Sequence, residues 1–269
     1  MITQMMGSRN PRIEIRTSLD GIIMTPEQIA EADRKVKPTT VPPAPFVPPQ
    51  GNTQPIVDPT TIPPGTAEKK KDYIYVPALG LYVSENRYLQ SKNWNDTQEI
   101  LHKEGRRMPT IPEFVELLKY LRSNDGKSKV KNAQKILDEI YKVAGNWRSE
   151  WLDAKFEEKK GMYVSYHVFD SKGKIIQKQE KLETYLTDDK TPGIDLDSWL
   201  ASPTKQGLPN STCPDGQLYY WYPRNGKVAR FDAYSGGAIL GCIGGATDTD
   251  PSLGVRYVEP RSGETAKKK

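Results

Sequence analysis

The chain has 269 residues, of which 36% are hydrophobic and 27% charged, with 22 prolines, two cysteines, two histidines and a net charge of +5. That is enough apolar material for one large core or two small ones. No apolar run approaches the ~18 residues of a membrane span, two cysteines cannot build a zinc site alone, and the two histidines are not at metal-ligand spacing.

The N-terminus, MITQMMGSRNPRIEIR, lacks the apolar h-region of a secretory signal. The chain is therefore expected to be cytoplasmic at synthesis, with association with a virus particle left open. Residues 1–36 form an N-terminal segment in which MTPEQIAEADRKV (24–36) reads as a short helix, with Thr25 as N-cap and Pro26 at its first position. Residues 37–71 form a proline-rich linker. Proline fixes φ and removes a donor, so KPTTVPPAPFVPPQGNTQPIVDPTTIPPGT is expected to be extended and partly polyproline II. The runs Lys69–Lys71 and Lys267–Lys269 read as solvated tails, the second within a basic tail at 262–269, and no nucleic-acid contact is expected from them.

The main domain is expected over 72–261. DYIYVPALGLYVS (72–84) reads as a strand pair and NWNDTQEILHKEG (93–105) as a helix stopped by Gly105. Trp94-Asn95-Asp96 has the letters of the calcium-binding tripeptide of sugar-binding C-type lectins, but it lies early, where Asn93 or Asn95 is more simply a helix cap. In RRMPTIPEFVELLKYLRS (106–123), Thr110 and Glu113 stand three apart as in a capping box, followed by Phe114, Leu117, Leu118 and Leu121 at helical spacing. A further amphipathic helix is expected over 130–144. Residues 162–184 read as a hairpin turning at Asp170–Gly173, and 194–202 as a short helix capped by Asp195. QLYYWYP, KVARFDAY, GGAILGC and LGVRYVE complete the chain as short strands, making the domain α+β. TDTDP (247–251) reads as a turn rather than a cation loop.

Side chains alternate across a strand. In VARFDAYSGGAILGC, Phe231, Ala233, Ser235, Ala238, Leu240 and Cys242 are small or apolar and fit a packed framework, whereas the intervening residues follow no core logic. In Tyr219–Tyr222 two rings should point inward and two outward, the outward pair serving as binding anchors.

The order of these signals resembles the formylglycine-generating-enzyme branch of the C-type lectin fold. The matching features are an early strand, two helices with the second entered through Arg107-Met108-Pro109-Thr110 and Glu113-Phe114, and a closing strand with Gly254-Val255-Arg256. Within that branch, VARF (228–231), Ser235-Gly236, Ala238, Leu240, Cys242 and LGVR (253–256) are similar to the variable proteins of diversity-generating retroelements. The resemblance covers roughly 72–260.

It implies a C-type lectin-like fold whose C-terminal region, about 217–258, is diversified by adenine-directed copying errors. Such errors at AAC or AAT codons do not yield Lys, Glu, Gln, Met or Trp, and none of these five occurs from Phe231 to Tyr257. The ligand-facing, variable set is then Tyr220, Tyr222, Asp232, Tyr234, Gly237, Ile239, Gly241, Ile243, Gly244, Gly245, Ala246, Thr247, Asp248, Thr249 and Tyr257. Recognition without catalysis follows: no enzyme, no cofactor and no metal. The partner would be a protein or surface ligand, with residues 1–71 anchoring the domain to a particle or cell surface. Two alternatives share the fold. One is a non-diversified structural or attachment protein of a virus particle. The other is a formylglycine-generating-type oxidase, which needs a copper-binding cysteine pair late in the chain; Cys242 is late, and Cys213 is no matching partner.

Overall fold

The computed structural model describes residues 18–19, 22–23, 71–141, 147–234 and 236–261. The helix expected at 24–36, the proline-rich linker up to residue 70, Ser235 and the basic tail lie outside them. The chain divides between Ile62 and Pro63. In the first part, β1 (Ser18–Leu19) and β2 (Ile22–Ile23) pair antiparallel, Ser18 opposite Ile23.

The second part is α+β. β3 (Tyr73–Val76) and β4 (Leu81–Ser84) form the expected hairpin, turning at Gly80 with φ +64°. α1 (Trp94–Lys103) is capped by Asn93, whose Oδ1 accepts from Asp96 N at 2.8 Å. The Trp-Asn-Asp tripeptide is thus a helix start, as expected, and the Trp94 indole donates to Leu152 O at 2.9 Å.

α2 (Ile111–Arg122) begins with the full capping box: Thr110 Oγ1 accepts from Glu113 N, and Glu113 Oε2 accepts from Thr110 N at 2.9 Å. The same carboxylate receives both terminal nitrogens of Arg107, at 2.7 and 2.5 Å. Arg107 is 1% exposed, and its backbone exchanges hydrogen bonds with Val258 near the C-terminus, at 3.2 and 2.8 Å. The arginine, threonine and glutamate of this helix entry therefore form one unit that also ties α2 to the last strand.

α3 (Asn124–Lys129), capped by Ser123, follows, then α4 (Ala133–Tyr141). Next come β5 (Arg148–Lys159), β6 (Gly161–Phe169) and β7 (Ile175–Lys181). The β6–β7 hairpin turns at Asp170, whose Oδ1 accepts from Lys172 N and Lys174 N at 2.8 and 2.9 Å and so lies below the ordinary carboxylate pKa. β8 (Lys190–Ile194) leads into α5 (Leu196–Ala201), capped by Asp195 as expected. β9 (Leu218–Trp221), β10 (Val228–Tyr234), β11 (Gly237–Gly244), β12 (Leu253–Gly254) and β13 (Val258–Pro260) finish the chain.

The large sheet has the order β7-β6-β5-β10-β11-β9-β8, with β12 also pairing β5; β13 closes the small sheet as β13-β4-β3. Pairing is antiparallel except β9 with β11 and β12 with β5. β5, which sequence patterning does not reveal, is the centre of the architecture. Its middle is buried on both faces, so the period-2 contrast that marks a half-buried strand is absent.

The two faces carry separate cores. On one, Leu152, Ala154, Phe156, Phe231, Leu240, Leu218 and Tyr220 meet α2, α4, α5 and the small sheet. Phe231 is the hub, with ring centroids 5.1 Å from Phe114, 6.1 Å from Tyr141 and 6.2 Å from a stacked Trp199. On the other, Trp151 and Val228 pack with Trp94, Leu101, Met108, Leu253 and Val255. Arg256, of the Gly-Val-Arg strand, is wholly buried. Its Nε donates to Glu150 Oε1 at 3.2 Å and its Nη1 to Glu85 O, binding β5 to the end of the first hairpin.

Candidate ligand-facing surface

β10 and β11 are read against each other by register: Phe231 opposite Leu240, Ala233 opposite Ala238, Asp232 opposite Ile239, Arg230 opposite Gly241. The framework row is closed, with Phe231 at 2% and Ala233, Leu240 and Cys242 at 0% exposure. Ala238 is half-buried against the same core. The other row lies on the opposite face. There Gly237, Ile239 and Ile243 are half-exposed, with Arg230 on β10 beside them. The Arg230 guanidinium lies 5.3 Å from the Trp147 ring centroid.

Asp232 belongs to that second row but is buried, not solvent-facing. Burial pushes its carboxyl up, opposed by Arg230, whose Nε donates to Oδ2 at 3.1 Å. It acts as an internal partner for Arg230. Tyr234 lies opposite Gly237 at the end of the ladder.

β9 corrects the assignment of the outward rings. Its parallel register sets Leu218 beside Ala238, Tyr219 beside Ile239, Tyr220 beside Leu240 and Trp221 beside Gly241. Tyr220 is therefore a core residue, at 0% exposure, and burial pushes its phenol far up. The physical reason is phase: Leu218 occupies the core side, and a period of two carries Tyr220 with it. Tyr219 and Trp221 are the outward, half-exposed pair. Tyr222, just past the strand, packs partly on the core while Arg224 lies over its ring at 5.1 Å.

The glycines of this region divide by what a side chain would meet. At Gly241 a Cβ would touch Asp232 Oδ2 at 3.5 Å and Arg230 Cγ at 3.8 Å, ordinary contacts. Gly237 has φ +134°, a conformation L-residues rarely adopt. At Gly244 a Cβ would press on Trp151 and the Val228 carbonyl, both at 3.2 Å. At Gly245 it would overlap the Asp248 carboxylate, which accepts from Gly245 N at 2.8 Å. Asp248 and Asp250 each commit one oxygen to the turn, Asp250 Oδ1 accepting from Ser252 N at 2.7 Å. Thr247, Asp248 and Thr249 are exposed at the tip. Ala246 packs partly on the second core, and its carbonyl accepts from Asn95 N, at the start of α1, at 3.3 Å.

Tyr257 stands apart, on the side of the small sheet. Its hydroxyl lies 3.1 Å from that of Tyr73, Arg106 stacks on its ring at 4.5 Å, and Tyr88, 40% exposed, meets it edge-on at 5.6 Å. Burial, then the Tyr73 contact, pushes its phenol up to about 12. The fifteen expected positions therefore form no single patch. Those on β10–β11 and in the 245–249 turn lie along one strand pair, Tyr220 is internal, and Tyr257 belongs to a tyrosine–arginine cluster.

Cys213 and Cys242 are both free thiols; Cys242 is buried, which pushes its thiol well up. No helix among the described residues is long and apolar enough to cross a membrane. Comparison with protein-family models, with curated proteins and with solved structures finds no match.

Proposed function

We propose that residues 72–261 form a ligand-recognition domain with a C-type lectin-like fold of the formylglycine-generating-enzyme type, displaying a diversified surface as the variable proteins of diversity-generating retroelements do. The observation carrying this reading is the separation of roles within β10 and β11. One row of side chains is sealed in the core, and the neighbouring row, with Tyr219 and Trp221 beside it, lies half-open on the opposite face. A backbone fixed by the first row lets residues of the second be exchanged, because surface substitutions away from caps and core usually change stability by ~0.5 kcal/mol or less. The unit of Arg107, Thr110 and Glu113, with its bond to the closing strand, supports the lectin-like part of the reading.

The refined anchors are Tyr219, Trp221, Ile239, Ile243 and the 247–249 tip, with Gly241, where a Cβ would make only ordinary contacts, between Trp221 and Arg230. Ligand affinity is expected to concentrate on the two rings, which offer large contact area at low entropic cost. The deciding measurement is the sequence of the 3′ end of the gene across its population, with the flanking DNA. Substitutions concentrated at Tyr219, Ile239, Gly241, Ile243 and the 247–249 tip, with Trp221 as a fixed anchor, beside a near-identical template repeat and a reverse transcriptase gene, are the expected result. An invariant 3′ end without a template overturns diversification and leaves a fixed attachment or structural module.

A further inference from the structure

The chain's two histidines come from different elements and meet: His102 on α1 and His167 on β6 have ring centroids 4.6 Å apart, edge to face. Beneath them lies Asp153 of β5, whose side chain is fully buried. Its carboxylate is already committed. It accepts from His167 N at 2.9 Å and from Gln98 Nε2 at 2.6 Å, and His167 Nδ1 lies 3.2 Å from both oxygens. A carboxylate only accepts, so the proton of that imidazole sits on Nδ1. His102 receives no such bond; its Nε2 is buried without a hydrogen-bond partner.

We propose that His102, His167 and Asp153 form an acid-sensitive latch holding α1, and through it the 245–249 turn, against the sheet. The inference is independent of any diversification of the gene. The charged and titratable groups facing His102 are His167 from β6, Asp153 from β5, and Arg107 from the segment entering α2. On α1 itself, Lys103 follows and pairs with Glu99 at 2.5 Å. Arg107 is neutralised by Glu113 and stacked on Phe169 of β6 at 4.6 Å. A proton added to His102 gains no carboxylate hydrogen bond; burial and His167 oppose it, the Asp153 charge favours it, and Arg107 opposes it again. Burial first and His167 second hold its pKa below the ordinary 6.5.

α1 is the lever. Trp94 donates to Leu152 O, Gln98 to Asp153 and Asn95 N to Ala246 O, so one helix joins the histidine pair to the displayed turn. The sign follows from linkage. With its folded pKa depressed, His102 contributes stability that is complete above the ordinary value of 6.5. That contribution is lost as pH falls from there toward the folded value. Over that window each pH unit lowers the closed-to-open ratio of the latch by up to about tenfold.

The test is nuclear magnetic resonance on the full chain, following both histidine ring signals and the exchange of the Trp94 indole and Asn95 amide protons from pH 7.5 to 5.0. His102 is expected to titrate below 6.5, with exchange at Trp94 and Asn95 accelerating beyond its intrinsic pH dependence while amides in the middle of α2 stay protected. His102→Gln is expected to leave Trp94 exchange following only its intrinsic pH dependence, and His167→Gln, which removes the second imidazole, to raise the His102 midpoint. Titration of His102 at or above 6.5, or wild-type protection factors at Trp94 and Asn95 that do not fall with acid, overturns the latch. The wild-type titration decides the matter even where a variant fails to fold.

Discussion

Alanine placed at Gly241 and at Gly245, in separate variants, should have opposite effects. At Gly241 the new methyl meets only ordinary contacts with Asp232 and Arg230. Alanine also restricts the unfolded chain, so Gly241→Ala is expected to be neutral or to stabilise by up to about 0.5–1 kcal/mol. At Gly245 the methyl overlaps the Asp248 carboxylate. That carboxylate must leave, and the 2.8 Å bond from Gly245 N is lost with it. Asp248 is exposed, so its carboxylate swings aside at little steric cost, and the lost bond should cost about 0.5–1.5 kcal/mol. For a domain of this size each kcal/mol moves Tm by about 2–4 °C. Gly241→Ala should therefore melt at or up to about 4 °C above the wild type, and Gly245→Ala about 1–6 °C below it. Calorimetry on both proteins at one pH reads this directly. A Gly245→Ala protein as stable as the wild type, or a Gly241→Ala protein that melts lower, refutes the steric partition of the displayed stretch.

Three further outcomes are expected. Tyr220→Ala should cost about 3–5 kcal/mol in urea unfolding, as large aromatic deletions in cores do, while Trp221→Ala on the open face should cost much less; equal losses would return β9 to the other phase. Arg107→Met should destabilise by about 3–5 kcal/mol, because it leaves the Glu113 carboxylate without its ion-pair partner, whereas Thr110→Ala should cost only ~1 kcal/mol for the lost cap; similar values for the two would show that the ion pair carries no more than the cap. A thiol reagent at neutral pH should label Cys213 in the native protein and reach Cys242 only on unfolding, since Cys242 is sealed in the core; rapid modification of two thiols would contradict that burial.

Local chemistry fixed much of this fold. Asn93, Thr110 with Glu113, and Asp195 announce helix starts through side chains that satisfy free backbone N–H groups nearby, and Asp170 and Gly173 announce a hairpin turn. These bonds join residues within a few positions, so they are legible without a fold. The alternation of Phe231, Ala233, Leu240 and Cys242 was legible for the same reason, since one buried face imposes a period of two.

Tertiary structure alone decided the rest. β5 was hidden because two cores cover its middle, erasing the alternation that would mark it. Which rings of Tyr219–Trp221 face outward depended on the register of β9 against β11, a contact between strands that no local pattern encodes. The fate of each glycine rested on neighbours from other elements, such as Trp151 against Gly244. The pairing of His102 with His167 over a buried Asp153 required α1, β5 and β6 to meet, because burial and charge at a site are summed over partners brought together only by the fold.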